Sequence, residues 1–428
     1  MTTIELGPRP EQFIWATGIE DTFVPQARPG QRALDEYELI GHYDHWREDL
    51  ALAKQLGAQA IRWGVPWYRV EPIPSQFDWG WTDKVIPYIV EQLGITPIVD
   101  LMHYGCPFWL RREFVSDEYP QAVASYAGAF AERYKRLVRW YTPLNEPIVN
   151  ALMCGKRGLW PPYLRGDTGY IRLMLQLVKG IRATSAAIKA ADPSAILVHV
   201  EATGISRAAH ADLEALALED QHRGFLCYDL LTGRVTAQHP LFGWLLRNGA
   251  NAHDLASFAL SPIALDVLGL NFYPQWSTQQ ISVDSRGRLV YRAAEKDGSG
   301  FAALIEGFYR RYNLPILVTE TSAKGNDQLR AAWLAASVGA IRQLRGAGVP
   351  VLGYTWFPLF TMIDWRYRLG REPLERYYLE LGMYRCGHAE QRWRATPLVQ
   401  QFQRYIAHPA EAVGELTEST SPPAPCSN

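Results

Sequence analysis

Glu146 and Glu320 stand in two short strings, Thr-Pro-Leu-Asn-Glu-Pro at 142–147 and Leu-Val-Thr-Glu-Thr at 317–321, each following an apolar, strand-like run. Two carboxyl groups facing each other across a cleft are the minimal machinery for breaking a glycosidic bond: one exchanges a proton with the leaving oxygen while the other attacks or activates water. Residues so far apart in sequence can cooperate only if a rigid framework brings them to one rim.

That framework is written as an alternation. Eight apolar, β-rich runs lie near 13–17, 60–65, 96–101, 137–142, 195–200, 267–271, 316–319 and 351–356. Between them, segments such as 43–56, 121–136, 170–191 and 328–345 carry small and apolar residues at helical spacing with charges interleaved, and Gly57 and Gly346 stand where two of these helices should stop. The alternation predicts an α/β fold with a parallel sheet, and the strand count predicts a single (β/α)8 TIM barrel over 1–408. After His408 the composition turns to Pro, Ser, Thr and Glu, so 409–428 is expected to be a disordered tail.

A barrel builds its active site at the carboxyl ends of its strands. Arg62, His103, Asn145, Glu146, Asn271, Tyr273, Glu320, Trp356 and Phe357 all fall there, with Asp364 and Trp365 in the loop that follows. Each alone has a bland explanation as a structural hydrogen bonder or packing residue; their joint arrival at one rim favours a sugar site. Glu201, just past the fifth run, suits an aglycone contact or a structural ion pair. His42 and His45 have the i, i+3 spacing of metal ligands, but without a third ligand nearby a capping or surface role is favoured. Cys106, beside the rim, has no paired base and reads as packing.

Composition narrows the partners. In 428 residues, 43 Lys and Arg balance 44 Asp and Glu, leaving no electrostatic case for nucleic acid or an anionic membrane. The opening residues lack a secretory pattern and no stretch reaches the ~18 apolar residues of a span, so a soluble, cytoplasmic protein is expected. The five cysteines are widely separated, without a Cys-x-x-Cys pair, and suggest neither disulfides nor zinc. Fifteen Trp and 22 Tyr could stack on sugar faces, although most should be core.

Further strings carry a resemblance. Phe-Ile-Trp at 13–15, His42-Tyr43 with Arg47, Glu48 and Asp49, Leu56-Gly57 through Arg62, and His103 with Pro107 and Trp109-Leu110 come first. Asn145-Glu146-Pro147, Gly-Leu-Asn-Phe-Tyr at 269–273, Thr319-Glu320 and Gly353-Tyr354 through Asp364-Trp365 follow in order. Together they resemble glycoside hydrolase family 1, the β-glucosidase and β-galactosidase family, with this chain a divergent member. The resemblance implies a retaining β-glycosidase working through a covalent glycosyl-enzyme intermediate, without cofactor or metal, on a small glycoside or oligosaccharide. It implies Glu146 as acid/base and Glu320 as nucleophile, with Arg62 and Tyr273 keeping Glu320 ionised. Asn145 would bind the 2-hydroxyl, and His103, Asn271, Asp364 and Trp365 the rest of the sugar. A catalytically idle sugar-binding relative and a transglycosidase using the same centre are the alternatives, and the oligomeric state stays open.

Departures fall in the recognition shell. No glutamine follows the first strand, and Glu20 is expected in its place. The family's His-Trp-Asp-x-Pro reads His103-Tyr104-Gly105-Cys106-Pro107 here, Glu320 is followed by Thr321-Ser322 rather than Asn-Gly, and Asp364 replaces a Glu. Trp356, or Phe357 one place later, is expected as the sugar platform. The loop Arg366 to Arg371 is basic without the Ser and Lys of the 6-phospho branch, which favours a solvated, salt-bridged loop over a phosphate site.

Overall fold

Along eight parallel strands, side chains alternate between a common interior and a surrounding layer of helices, as the two-residue period of a strand requires. The computed structural model describes residues 7–9, 11–295, 297–387 and 391–417. The strands are β1 (Ile14–Gly18), β2 (Ala60–Gly64), β3 (Thr96–Asp100), β4 (Trp140–Thr142), β5 (Ile196–Ala202), β6 (Val267–Phe272), β7 (Ile316–Thr321) and β8 (Val351–Trp356). They pair in sequence order, and β1 closes the barrel by pairing with both β2 and β8, Ala16 opposite Ala60 and Ile14 opposite Gly353. Ile14, Ala60, Ile98, Trp140, Val198 and Leu317 belong to the apolar cluster that fills the interior. Gly353 permits this closeness: a Cβ there would meet the Ile14 carbonyl at 2.5 Å.

The outward faces carry the larger apolar cluster and pack on α1 (His42–Leu56), α2 (Thr82–Pro87, continued by a π-helical turn at Tyr88–Gln92), α3 (Tyr119–Tyr134), α4 (Gly166–Ala191), α5 (Glu214–Leu231), α6 (Ser299–Tyr312), α7 (Asp327–Gly346) and α8 (Pro397–Ala407). Gly57 ends α1 in the left-handed conformation, φ +89°, as its position predicts. A three-stranded sheet of Ile205–Ala208, Thr278–Val283 and Leu289–Ala293 joins the loops beyond β5 and β6 and walls one side of the barrel mouth.

Several boundaries differ from the sequence expectation. The fourth strand is shorter, because the Leu137 and Val138 amides turn back onto the Tyr134 carbonyl. The fifth is longer and takes Glu201 into the strand. The expected tail does not start at 409: Pro409–Val413 form a further short helix, α9, whose Val413 is 1% exposed against the core. Residues 418–428 of that expected tail lie outside the described residues.

Candidate active site

Strand ends deliver two glutamates to one cleft of about 860 Å3 at the carboxyl side of the barrel. Glu320 sits within β7, where the register against β6 shifts between Val318 and Glu320. Glu146 follows β4 at φ +46°, a left-handed conformation costly for a residue with a side chain, and opens a one-turn helix at Pro147–Asn150. Its amide is tied to the Val200 carbonyl, and that of Asn145 to Met102.

Arg62, from β2, is fully buried and serves three strands. Its Nη1 donates to Glu320 Oε1 at 2.6 Å, and its Nη2 to Asn145 Oδ1 at 3.0 Å and to Asp100 Oδ2. Burial opposes its charge, but the carboxylates of Asp100 and Glu320 overcome this and hold it protonated. Tyr273 donates to Glu320 Oε2 at 2.7 Å. Asn271 donates to Glu146 Oε1 at 2.9 Å, and Thr319 Oγ1, 2.6 Å from Asn271 Oδ1, fixes which way that amide faces. Tyr104 donates to Glu146 Oε2 and receives Asn145 Nδ2 at 3.1 Å.

Electrostatics separates the two glutamates. Burial pushes Glu320 up to about 8, with Arg62 pulling down and Glu146 pushing up. Burial also raises Glu146, against hydrogen bonds from Tyr104 and Asn271. Neighbouring buried carboxyls of this kind titrate as a pair and share a proton near neutrality. Glu320 alone of the two holds a guanidinium, so the charge belongs there and the shared proton on Glu146.

His103 lies with Nδ1 2.9 Å from Asp21 and Nε2 3.5 Å from Glu20. Burial opposes its protonation, yet Asp21, Asp100 and Glu20 together raise it well above the usual imidazole value. Gly64 makes room for this arrangement, since a side chain there would collide with the Asp21 carboxylate. Glu20 lines the cleft and accepts from Thr22 N and Oγ1 at 3.1 and 2.6 Å. Asp364 lines it too, but accepts from the Arg366 amide and guanidinium, and Trp365 packs edge-on to Tyr104 and Trp160.

Nine of the eleven expected site residues therefore line the cleft or touch its glutamates directly, and Asn145 joins them through Arg62 and Asn271. Trp356 does not. Its register opposite Thr17 turns it outward, and its buried indole donates to the Leu381 carbonyl at 3.0 Å. Phe357 is equally buried, its ring 5.3 Å from the Arg62 guanidinium. Of the tryptophans expected at the sugar, Trp365 lines the cleft, beside Met362. Glu201 is not among the residues lining the cleft and makes no ion pair among the described residues; its Oε1 accepts the amides of Ile148 and Ala202 and so braces the turn carrying Glu146. Arg368 is spent on the Val24 and Pro25 carbonyls. His42 is buried against Asp49, and burial raises the Cys106 thiol well above its usual value, so it is no thiolate. Sequence reasoning missed Asp100 and Asp21; Asp100 lies next to the end of a predicted strand and closes the observed β3, and so carried a positional signal.

The sequence profile of Glycosyl hydrolase family 1 matches residues 17–223. Beta-glucosidase A of Thermotoga maritima is 24% identical over 366 residues, covering 76% of this chain and 78% of that protein. Together these matches indicate glycosyl hydrolase family 1. As a glycoside hydrolase it is distant from these relatives: the aryl-phospho-beta-D-glucosidase BglA of Bacillus subtilis is 22% identical over 77% of this chain and 78% of its own length. The fold persists beyond the sequence. The T. maritima beta-glucosidase solved with glucoimidazole superposes with a TM-score of 0.80 at 19% identity, over 93% of this chain and 98% of that one.

Proposed function

We propose that this glycoside hydrolase cleaves β-glucosides with net retention, Glu320 acting as nucleophile and Glu146 as acid/base. The observation that carries the reading is the asymmetry of their partners: Glu320 holds a guanidinium and a phenol, Glu146 only neutral donors. In the first step a Glu320 oxygen forms a bond to the anomeric carbon as the glycosidic bond breaks, and the Glu146 proton passes to the leaving oxygen. In the second, Glu146 takes a proton from water, which displaces Glu320 and restores both groups. Relatives named as beta-glucosidases favour glucose as the glycone.

The glycone contacts belong to the same reading. Glu20 can only accept, so the hydroxyl it meets must donate, unlike the amide it replaces. Asn145 suits the 2-hydroxyl, His103 and Asn271 neighbouring hydroxyls, Asp364 the far edge of the ring, and Trp365 its face.

The experiment is a panel of aryl β-glycosides, differing in sugar and with 6-phospho forms, run with wild type and Glu320→Gln. Turnover of the β-glucoside is expected in wild type and is lost in the variant, and a 2-deoxy-2-fluoro-glucoside should leave one glycosyl group on the Glu320 peptide by mass spectrometry. A first-formed α-anomer by NMR would exclude double displacement.

A further inference from the structure

We propose that Tyr104 is the positioning residue for Glu146, its hydroxyl setting how readily that glutamate releases and recovers its proton. The proposal rests on the reading of Glu146 as acid/base. Tyr104 is 1% exposed, so its hydroxyl must find partners inside the protein, and it finds two: Asn145 Nδ2 as donor and Glu146 Oε2 as acceptor. The ring is fixed by His103, Trp160 and Trp365, with centroids 4.5, 5.3 and 5.8 Å away. An indole, which the family motif has at this position, donates without accepting; a phenol does both, and so links Asn145 to Glu146 in one chain of hydrogen bonds.

The other groups around Glu146 cannot take this part. Asn271, from β6, donates to the opposite oxygen and is locked by Thr319. The charged and titratable groups acting on Glu146 are His103 beyond β3, Glu20 beyond β1, Glu320 on β7, Glu201 on β5 and Tyr273 beyond β6; among the described residues none of them hydrogen bonds to its carboxyl. A phenol hydrogen on Oε2 favours the ionised carboxyl and opposes the burial that disfavours it. Glu146 must be ionised once it has protonated the leaving group, and remains so until it activates water. Tyr104 therefore supports the state between the two half-reactions.

Tyr104→Phe keeps the ring and removes only the hydroxyl. With phenyl β-glucoside, whose poor leaving group needs acid assistance, the alkaline limb of kcat/KM is expected to move up by about one pH unit. A fluorinated tyrosine in place of Tyr104, a stronger donor, should move it down, which a purely structural role would not. Both variants keep the ring's packing, and opposite displacements cannot come from misfolding. Glu146→Ala is run alongside, with azide and a dinitrophenyl β-glucoside. A limb that stays in place in Tyr104→Phe while azide still rescues Glu146→Ala overturns the role of Tyr104. Absence of azide rescue instead removes Glu146 as acid/base, and the proposal with it.

Discussion

At Arg62 one guanidinium serves acceptors on three strands or strand ends: Glu320, Asp100 and Asn145. Its charge is shared between two carboxylates, so either one feels less than a full unit of stabilisation. In the proposed mechanism, activity requires a single proton on the glutamate pair, with Glu320 ionised. Above the upper step both are ionised and no proton is available to the leaving group; below the lower step Glu320 is protonated and cannot attack. A bell-shaped kcat/KM profile is the expected result, its alkaline limb lying above the ordinary carboxylate range because burial raises both glutamates. In Asp100→Asn, Arg62 is released from one carboxylate and ionises Glu320 more readily, so the acid limb should move to lower pH. An acid limb that stays or rises in a pH–rate series would contradict this sharing. The glutamates themselves were legible in sequence because each sits in a short, dense string. Asp100 and Tyr104 were harder to read, since their importance lies in partners contributed by other strands.

Among the elements, β8 shows what an alternating period decides. Trp356 and Phe357 are adjacent and both aromatic, so residue type could not tell which faces the site. Pairing with β1 assigns Trp356 to the outer layer with Tyr354, where its indole satisfies the Leu381 carbonyl. Trp356→Phe is therefore expected to lower stability by about 1–3 kcal/mol, through the lost indole hydrogen bond and packing, the Leu381 carbonyl keeping the Arg330 guanidinium, while KM changes less than about twofold. Chemical denaturation beside steady-state kinetics separates the two effects, and a large rise in KM would return Trp356 to the sugar site. Strand β5 teaches the same lesson. Glu201 looked like a rim residue because the predicted strand stopped at 200, but two more residues of pairing draw its carboxyl inward to the Ile148 amide. Alternation and count were plain in the sequence; ends were not, because they depend on hydrogen bonds to neighbouring loops.

In the whole molecule the barrel is sealed on its outer side by the last described helices. Arg342, on α7, donates to the Glu411 carbonyl at 2.8 Å, and the Thr417 amide returns to Arg345. Ending the chain at His408 should uncover the Val413 site and cost about 2 kcal/mol relative to ending it at Thr417, read as a lower melting temperature. Equal melting temperatures for the two truncations would make α9 dispensable. Composition alone suggested a tail from 409, since five residues with one buried valine barely alter a Pro- and Glu-rich average.

The sheet at the barrel mouth has a consequence for how such a protein can change. Ile205–Ala208, beyond β5, is hydrogen-bonded in register to Thr278–Val283, beyond β6. Trp276, Tyr291 and Arg223, which line that side of the cleft, therefore stand on or against a single woven panel rather than on independent loops. A graft that exchanges one of these segments leaves the other with an unpaired edge. Acceptance of new leaving groups should therefore be inherited in blocks, both segments together, while the glycone end varies one side chain at a time.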